Sequence, residues 1–396
     1  MAGAPPPLRT SESGSFAQAT ILRRKPQVVE DVLHDNDYPP EIRDALTQLV
    51  EEMVSGQPIR PLTERAPDSE YWREQWMPHA GHSWLDVPWY FAEAFFYRRL
   101  LEAVRYFQPG LWEGHDPFAA AKRRQIDGPG GAVPLAGQAL ANLPAAPLAA
   151  AQALVYASLW GNRIDLSNRR ILAELAQQAG QAHDILIDDS AEILAFLARG
   201  IPRGRVDWVN DNAGAEAAFD LLLADFILEQ GWVQRVRLHL KPYPFFVSDA
   251  MVQDIRELIG RLEGASEPLA RAAGDRLSGR LHMGTLELST HRFWASSYGL
   301  AEMPEDLRQE LGGADLVILK GDLNYRRLLD DRHWPPTARL EEIAAYFPVP
   351  FAVLRTLKAE IMVGLAQGQA ERLTLEDADW LINGRRGLIQ FVAREA

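Results

Sequence analysis

The strongest constraint on the fold is an alternation of two kinds of segment, which begins near residue 203. Short apolar runs of β-type composition alternate there with segments of helical periodicity. The runs are RVDWVN, VQRVRLHLK, GRLHM, ADLVILKG and FAVLRTLKAE, and the helix-like segments between them include SDAMVQDIRELIGRLEG and DLNYRRLLDD. Such alternation is typical of a mostly parallel sheet with helices on both faces. Ligands of such sheets bind at the carboxyl ends of the strands, so the pattern also predicts where a site would lie.

The N-terminal half differs, because helical periodicity dominates it. Segment 89–107 carries apolar residues at helical spacing, and segment 145–162 is rich in Ala and Leu. The first residues are mostly proline and small polar residues, which have little to bury. We therefore predict a disordered tail at 1–20, a mainly helical domain at 21–200 and an α/β domain at 201–396. The fold class is α/β: a helical N-terminal part packed on a mostly parallel sheet sandwiched by helices, in a Rossmann-like α/β/α arrangement.

Charge and composition exclude several classes of function. The formal net charge of −13 disfavours nucleic acids and anionic membranes as partners, because the average surface would repel them. The chain has no cysteine, so a metal would need oxygen or imidazole ligands, which favours a hard cation such as Mg or Mn. The N-terminus lacks an apolar targeting region, and no apolar run reaches about 18 residues. We expect a cytoplasmic protein.

Polar side chains follow two of the predicted strands directly. Asp211 and Asn212 come after the strand at 205–209, and Asp249 opens the helix that follows the next strand and a proline-rich turn. Each could simply cap its helix, since Asp and Asn accept hydrogen bonds from the free N–H groups of a first helical turn. Their convergence at one edge of the sheet instead indicates a site.

A third junction places cations at the same edge. The segment ADLVILKGDLNYRRL brings Lys320 to the end of a strand and Arg326 one turn into the next helix. Gly321 has no side chain and lets the backbone approach a bound anion closely. Two aspartates and an amide suit a magnesium or manganese ion, and neighbouring cations suit a phosphate. The sequence thus favours metal-assisted phosphoryl transfer.

The same segments resemble a known family. NDNAGAEAAFDLLLADFIL, LHLKPYPFFVSDA, VILKGDLNYRRLLDDRHWP and LRTLKAEIMVGL, in this order, are similar to motifs of the metal-dependent damage-control phosphatases, in the acidic residue methyltransferase-like branch. The resemblance spans roughly residues 70–375. It implies a helical N-terminal part on an α/β sandwich that holds one divalent metal, Mn or Mg, with Co or Ni as possible substitutes.

The resemblance also implies roles for particular residues. Asp211, Asn212 and Asp249 would ligate the metal and form the catalytic centre. Glu216 falls on the family's acidic position, although Ala215 replaces the usual aromatic residue before it. The residues that would bind the substrate are Asp322, Leu323, Asn324, Tyr325, Arg326 and Lys358, together with Lys320.

The activity implied is hydrolysis of small phosphometabolites, with sugar phosphates such as fructose 1-phosphate as substrates. It would remove damaged or surplus phosphate esters. Two alternatives stay open: an S-adenosylmethionine-dependent protein carboxyl O-methyltransferase, and a non-catalytic α/β protein that binds phosphometabolites. The residues favour the phosphatase, because no glycine-rich methyl-donor loop is visible and several cations suit a phosphate better than a sulfonium.

Two further groups of residues have two interpretations each. Glu93, Tyr97 and Arg98 share one face of a helix, where they could form an internal ion pair or reach the site as a lid. Asn162 and Asp165 stand at a helix end, where they could cap the helix or contact the substrate.

Overall fold

One sheet organises the C-terminal half. The computed structural model describes residues 3–127, 130–161, 184–199 and 203–394. Within these ranges seven strands form a sheet of order β1-β7-β6-β5-β2-β3-β4. All neighbours are parallel except β6 and β7, which are antiparallel. The strands are β1 (Ile185–Asp188), β2 (Arg203–Val209), β3 (Val233–Leu240), β4 (Leu286–Thr290), β5 (Leu316–Lys320), β6 (Phe351–Thr356) and β7 (Gly387–Val392).

Helices cover both faces of the sheet and form the N-terminal part. In the first part of the chain they are α1 (Phe16–Ala19), α2 (Lys25–Asp35), α3 (Pro40–Val54), α4 (Ser69–Trp76), α5 (Trp89–Ala103), α6 (Ala119–Asp127), α7 (Ala132–Ala141) and α8 (Pro147–Trp160). Those that alternate with the strands are α9 (Ser190–Leu197), α10 (Ala215–Glu229), α11 (Val252–Glu263), α12 (Pro268–Met283), α13 (Glu305–Gly312), α14 (Gly321–Leu328), α15 (Leu340–Ile343) and α16 (Gln369–Glu376). A π-helical turn at Thr20–Arg24 joins α1 to α2.

The central strands are buried on both faces. In β5, Leu316 and Ile318 belong to the core beneath α8 and α10, whereas Val317 and Leu319 belong to the core on the opposite face. This division follows from the two-residue repeat of a strand. Because helices cover both faces, the strand reads as the unbroken apolar run LVIL before Lys320, as parallel strands usually do.

The N-terminal helices pack around α5, which is buried along nearly its whole length. Their core also takes in Tyr243 and Phe245, which lie on the loop between β3 and α11. Trp72 donates to the Tyr243 hydroxyl at 3.1 Å, and this hydroxyl donates to Asp68 at 2.7 Å. The helical part is therefore anchored on the loop that carries Asp249.

The structure confirms the predicted fold class, a helical part on a mostly parallel sheet between helices. The interpretation of GRLHM as a strand is wrong, because these residues form the last turn of α12. Gly284 ends that helix in a left-handed conformation with φ of 72°, as C-terminal glycines often do. The strand of this unit is β4, which begins two residues later.

Two features differ from the predicted division of the chain. Residues 3–20, expected to be disordered, pack against the rest of the protein, because Leu8, Thr10 and Ala17 are buried. The Leu8 backbone N–H donates to the Asp331 carbonyl at 2.8 Å, and its carbonyl accepts from Trp89 N–H at 2.9 Å. In addition, β1 belongs to the sheet although it lies within the segment assigned to the helical domain.

None of the helices in the described part of the chain combines the length and the apolar character needed to cross a bilayer.

Truncation of Leu8 tests whether the N-terminal segment contributes to stability. Leu8 is 1% exposed within an apolar core, so Leu8→Ala should lower the free energy of unfolding by about 2–5 kcal/mol. Leu111 is 84% exposed, and Leu111→Ala should stay within about 0.5 kcal/mol of the parent. Urea denaturation of the two variants measures both values. Equal, small effects would mean that residues 3–20 do not hold this position in solution.

Candidate active site

The ends of β2 and β3 are joined by backbone hydrogen bonds. Ala250 N–H donates to the Asp211 carbonyl at 2.8 Å, and Ala213 N–H donates to the Ser248 carbonyl at 2.7 Å. Asn212 and Asp249 thereby form an isolated antiparallel bridge beyond the strands. This bridge brings Asp211, Asn212 and Asp249 together, as the sequence predicts, and all three line one cavity.

The cavity has a volume of about 140 Å³ and lies between the sheet edge and the N-terminal helices. The helical part supplies several of the lining residues. Besides the three residues from β2 and β3, the lining comprises Phe16, Arg24, Lys25, Trp89, Glu93, Tyr97, Phe246, Val247, Ser248, Asp322, Leu323, Arg326 and Lys358.

Burial dominates the electrostatics of the two aspartates. Burial raises the pKa of Asp249 to about 6, although Lys241 Nζ, 3.3 Å from Oδ2, opposes the rise. Burial also raises the pKa of Asp211 well above its usual range, and the charges of Glu216 and Asp249 add to the effect. Within the described residues Asp211 has no cationic side chain in salt-bridge contact. A bound cation would relieve this concentration of negative charge.

These residues fit a divalent metal by their chemistry. Two carboxylates and an amide provide oxygen ligands of the kind that Mg and Mn prefer, and they leave room for further ligands. The described residues contain no group of three or more His, Asp or Glu suited to a metal, so the candidate set depends on the amide of Asn212. Asn212 Oδ1 accepts from the Ser248 hydroxyl, and Nδ2 donates to Asp211 at 2.7 Å.

Lys320 does not line the cavity, although the family resemblance predicts that it binds the substrate. Its ammonium is fully buried below the site, where it donates to the Ser158 carbonyl at 2.8 Å and lies 2.9 Å from Asp220. It also lies 3.4 Å from Glu216. Burial opposes its charge, but Asp220 and Glu216 outweigh burial and raise the pKa of Lys320. The spacing of the sequence placed it correctly at the strand end but could not show that its side chain turns inward.

Two other predicted substrate residues also support the loop from beneath. The Asn324 amide donates to the Lys320 carbonyl at 2.7 Å and to the Asn210 carbonyl at 3.3 Å. The Tyr325 hydroxyl accepts from Val363 N–H at 3.2 Å, and the guanidinium of Arg355 lies over its ring. Neither side chain lines the cavity, whereas Asp322 and Leu323 do.

Arg326 lines the cavity, but its charge is matched. Its guanidinium donates to both oxygens of Asp331 at 2.8 and 2.9 Å and to Glu93, and it stacks 3.6 Å above the Trp89 ring. Lys25 contributes a second cation to Glu93 at 2.7 Å. Burial opposes the ionisation of Glu93, yet the two cations lower its pKa to about 2. Burial lowers the pKa of Lys25 to about 8.

Two cations on the cavity wall have no carboxylate partner among the described residues: Lys358 and Arg24. Asp322 accepts from the Lys358 backbone N–H at 3.1 Å and from Arg355 Nε at 2.7 Å, which fixes the backbone that carries Lys358. Arg24 projects from the π-helical turn. Of the cations that line the site, these two have charge to offer an anionic ligand.

The residues with two interpretations, on α5 and after α8, have different outcomes. Glu93 and Tyr97 reach the cavity, whereas Arg98 forms an ion pair with Asp68 at 2.9 Å. Asn162 and Asp165 lie outside the described residues.

Several residues at the site do not stand out in the sequence, namely Arg24, Lys25, Lys241 and Phe246. The basic run RRK was visible, but a regular helical repeat cannot reveal a π turn, which shifts the faces that follow it. Phe246 adopts a φ of 57°, which is rare for a bulky residue and common at functional loops.

Gly321→Ala tests the close packing of the strand ends. A Cβ at Gly321 would lie 1.9 Å from Asp211 Oδ2, and the backbone φ is 81°. The left-handed conformation alone should cost about 1–2 kcal/mol, and the clash must displace the Asp211 carboxylate. We expect lower stability by thermal unfolding and loss of any Mn²⁺-dependent stabilisation. Gly279 lies within α12 where an added Cβ meets open space, so Gly279→Ala should retain both the thermal stability and the Mn²⁺ response. Wild-type metal response in Gly321→Ala would contradict the arrangement.

Comparisons with known proteins identify the family of the chain. A family profile described as damage-control phosphatase ARMT1-like domain matches residues 20–373. A zebrafish (Danio rerio) protein named damage-control phosphatase ARMT1 is 32% identical over 98% of this chain and 97% of its own length. Proteins of the same name from mouse (Mus musculus) and human are 31% and 29% identical, each over 99% of both chains.

A solved structure shows the same fold. The crystal structure of a DUF89-family protein from Pyrococcus horikoshii aligns with a TM-score of 0.50 at 14% identity, over 87% of this chain and 91% of that chain. The family match covers most of the sequence, and it confirms the resemblance found in the motifs. The chain therefore belongs to the damage-control phosphatase ARMT1-like family.

Proposed function

We propose that this chain is a metal-dependent phosphatase that hydrolyses sugar phosphates, such as fructose 1-phosphate, in metabolite repair. One observation supports it above all. Asp211, Asn212 and Asp249 line the same small cavity as two cations, Lys358 and Arg24, that have no carboxylate partner in the described part of the chain. Negative oxygens on one side and unmatched positive charge on the other suit a cation bound together with a phosphate.

Each group has a distinct part in the proposed reaction. Asp211, Asn212 and Asp249 would hold the metal, Mn or Mg, or else Co or Ni. When bound, the metal would act as a Lewis acid towards the phosphate and lower the pKa of a water molecule. Lys358 and Arg24 bind the phosphate oxygens and offset the charge that develops on them. Arg326, held by Glu93 and Asp331, keeps the wall rigid.

The cavity suits hydrolysis better than methyl transfer. Its wall presents Lys358 and Arg24, which have no carboxylate partner among the described residues, and this unmatched positive charge disfavours a positively charged sulfonium donor. We also propose that the chain has no nucleic-acid or membrane partner, since its net charge of −13 repels polyanions. A cytoplasmic location is part of the same proposal.

The direct test is a phosphate-release screen of the purified chain over sugar phosphates and nucleotides, with Mn²⁺, Mg²⁺, Co²⁺, Ni²⁺ or no added metal. The proposal expects release from sugar phosphates that depends on added metal. Equal turnover after thorough chelation would remove the metal from the mechanism. Methyl transfer from labelled S-adenosylmethionine without metal would support the alternative activity.

Asp249→Ala tests the metal site. A bound metal contributes several kcal/mol to stabilisation of the transition state, so its loss should lower kcat/KM by about 100-fold or more. Asp225→Ala is the matched control, because Asp225 is also a buried, paired aspartate but lies outside the cavity lining. Circular dichroism checks that both variants fold. Full activity in Asp249→Ala would exclude this residue from the reaction.

Arg24→Gln tests the second unmatched cation. A charge-assisted hydrogen bond is worth about 1.5–3 kcal/mol, so kcat/KM should fall by about 10–100-fold. Its neighbour Arg23 is exposed, as Arg24 is, but does not line the cavity, so Arg23→Gln should lose the same charge without loss of activity. Steady-state kinetics with a sugar phosphate measure both. An equal fall in kcat/KM in the two variants would mean that Arg24 acts only through long-range electrostatics and not by contact with the phosphate.

A further inference from the structure

The amide of Asn212 is held in one orientation by two carboxylates. Its Nδ2 atom donates to Asp211 Oδ2 at 2.7 Å and to Glu216 Oε2 at 2.9 Å. The opposite rotamer would turn Oδ1 towards two carboxylates, which accept only and would repel it when they are ionised, as metal ligation requires of Asp211. The carbonyl oxygen Oδ1 therefore lies on the side of Ser248, which lines the cavity and donates to it. An amide oxygen has a second lone pair, so Oδ1 can still ligate a cation.

Glu216 can hold the amide only because its other oxygen is held in turn. Glu216 Oε1 lies 3.4 Å from Lys320 Nζ, whose position is fixed by Asp220 at 2.9 Å and by the Ser158 hydroxyl at 2.6 Å. Ser158 in turn donates to Asp220. These four side chains are buried and none of them lines the cavity, whereas Asn212 does. The contacts thus run from α8, through β5 and α10, to a candidate metal ligand.

We propose that Glu216 and Lys320 are positioning residues for Asn212: Lys320 fixes Glu216, and Glu216 turns the amide oxygen of Asn212 towards the bound cation. This inference rests on the metal site of the proposed function. It assigns to Lys320, which the sequence pattern places on the substrate, a role beneath the metal instead. It also assigns to Glu216 the role of a hydrogen-bond acceptor that selects one rotamer, without contact to the metal.

The sign of one effect separates positioning from simple electrostatics. Lys320 is a cation near the metal site, so if only its charge mattered, its removal would strengthen binding of another cation. Positioning predicts the reverse, because a released Glu216 no longer fixes the amide. Partners that orient a metal ligand typically account for about 10–100-fold in metal affinity.

The experiment is calorimetric titration of the full chain with Mn²⁺ alone, which needs no substrate and no turnover. Glu216→Gln, which can present an N–H to Asn212 Nδ2 in place of an acceptor, should bind Mn²⁺ about 10–100-fold more weakly. Lys320→Met should weaken binding in the same range. Because the two residues act in series, the double variant should bind Mn²⁺ only slightly more weakly than Lys320→Met alone.

Lys122→Met is the matched control. Lys122 is likewise a buried lysine paired with two aspartates, Asp116 at 3.1 Å and Asp254 at 2.8 Å, and its charge lowers the pKa of Asp249 without contact. Its removal reports the purely electrostatic effect and should leave Mn²⁺ affinity unchanged or higher. Urea denaturation of all variants shows that each titration is of folded protein.

Three outcomes have separate meanings. Weaker Mn²⁺ binding in Glu216→Gln and Lys320→Met, but not in Lys122→Met, supports the proposal. Unchanged or tighter binding in folded Lys320→Met overturns it and leaves the phosphatase proposal intact. If the wild-type chain binds no Mn²⁺, Mg²⁺, Co²⁺ or Ni²⁺, the metal site itself fails and the positioning role falls with it.

Discussion

Negative charge buried at the carboxyl ends of β2 and β3 is the constraint on which the rest of the site depends. Asp211, Glu216 and Asp249 lie close together and out of contact with most solvent, so desolvation and mutual repulsion both oppose their ionisation. A buried charge is costly unless it is paired or neutralised. Lys241 offsets Asp249 and Lys320 offsets Glu216, whereas Asp211 faces the cavity and no cationic side chain of the described residues is in contact with it. The imbalance suits a cation beside Asp211.

The helical part completes this site as well as covering it. Glu93 on α5 accepts from Arg326 of α14 and from Lys25 of α2, so one carboxylate ties three elements together at the cavity wall. Asp331 accepts two further hydrogen bonds from Arg326, from Nε and Nη2, and its backbone carbonyl accepts from the Leu8 N–H. The N-terminal segment, the helical part and the sheet therefore meet at the same ion-pair network. This explains why a proline-rich N-terminus with few apolar residues is nevertheless packed.

Ion pairing decides which cations can serve a ligand. By residue type alone, Lys320, Arg326 and Lys358 are equivalent candidates for an anion. In the structure Lys320 is enclosed by Ser158, Asp220 and Glu216, and Arg326 is paired with Glu93 and Asp331. Lys358 and Arg24 remain at the wall, and Arg24 lies there as the last residue of the π-helical turn.

The sequence by itself determined the fold class and the location of the candidate metal residues, because both depend on local patterns. Two-residue and helical periodicities indicate a parallel sheet between helices, and carboxyl ends of parallel strands must meet at one edge. Only the tertiary structure decided that the side chain of Lys320 points inward and that Arg326 is held in ion pairs. It also decided that Arg24 lies at the cavity wall and that residues 3–20 are packed against the rest of the protein. These depend on partners far apart in the chain, such as Glu93 for Arg326, and no local pattern encodes which distant charges will meet when a core closes.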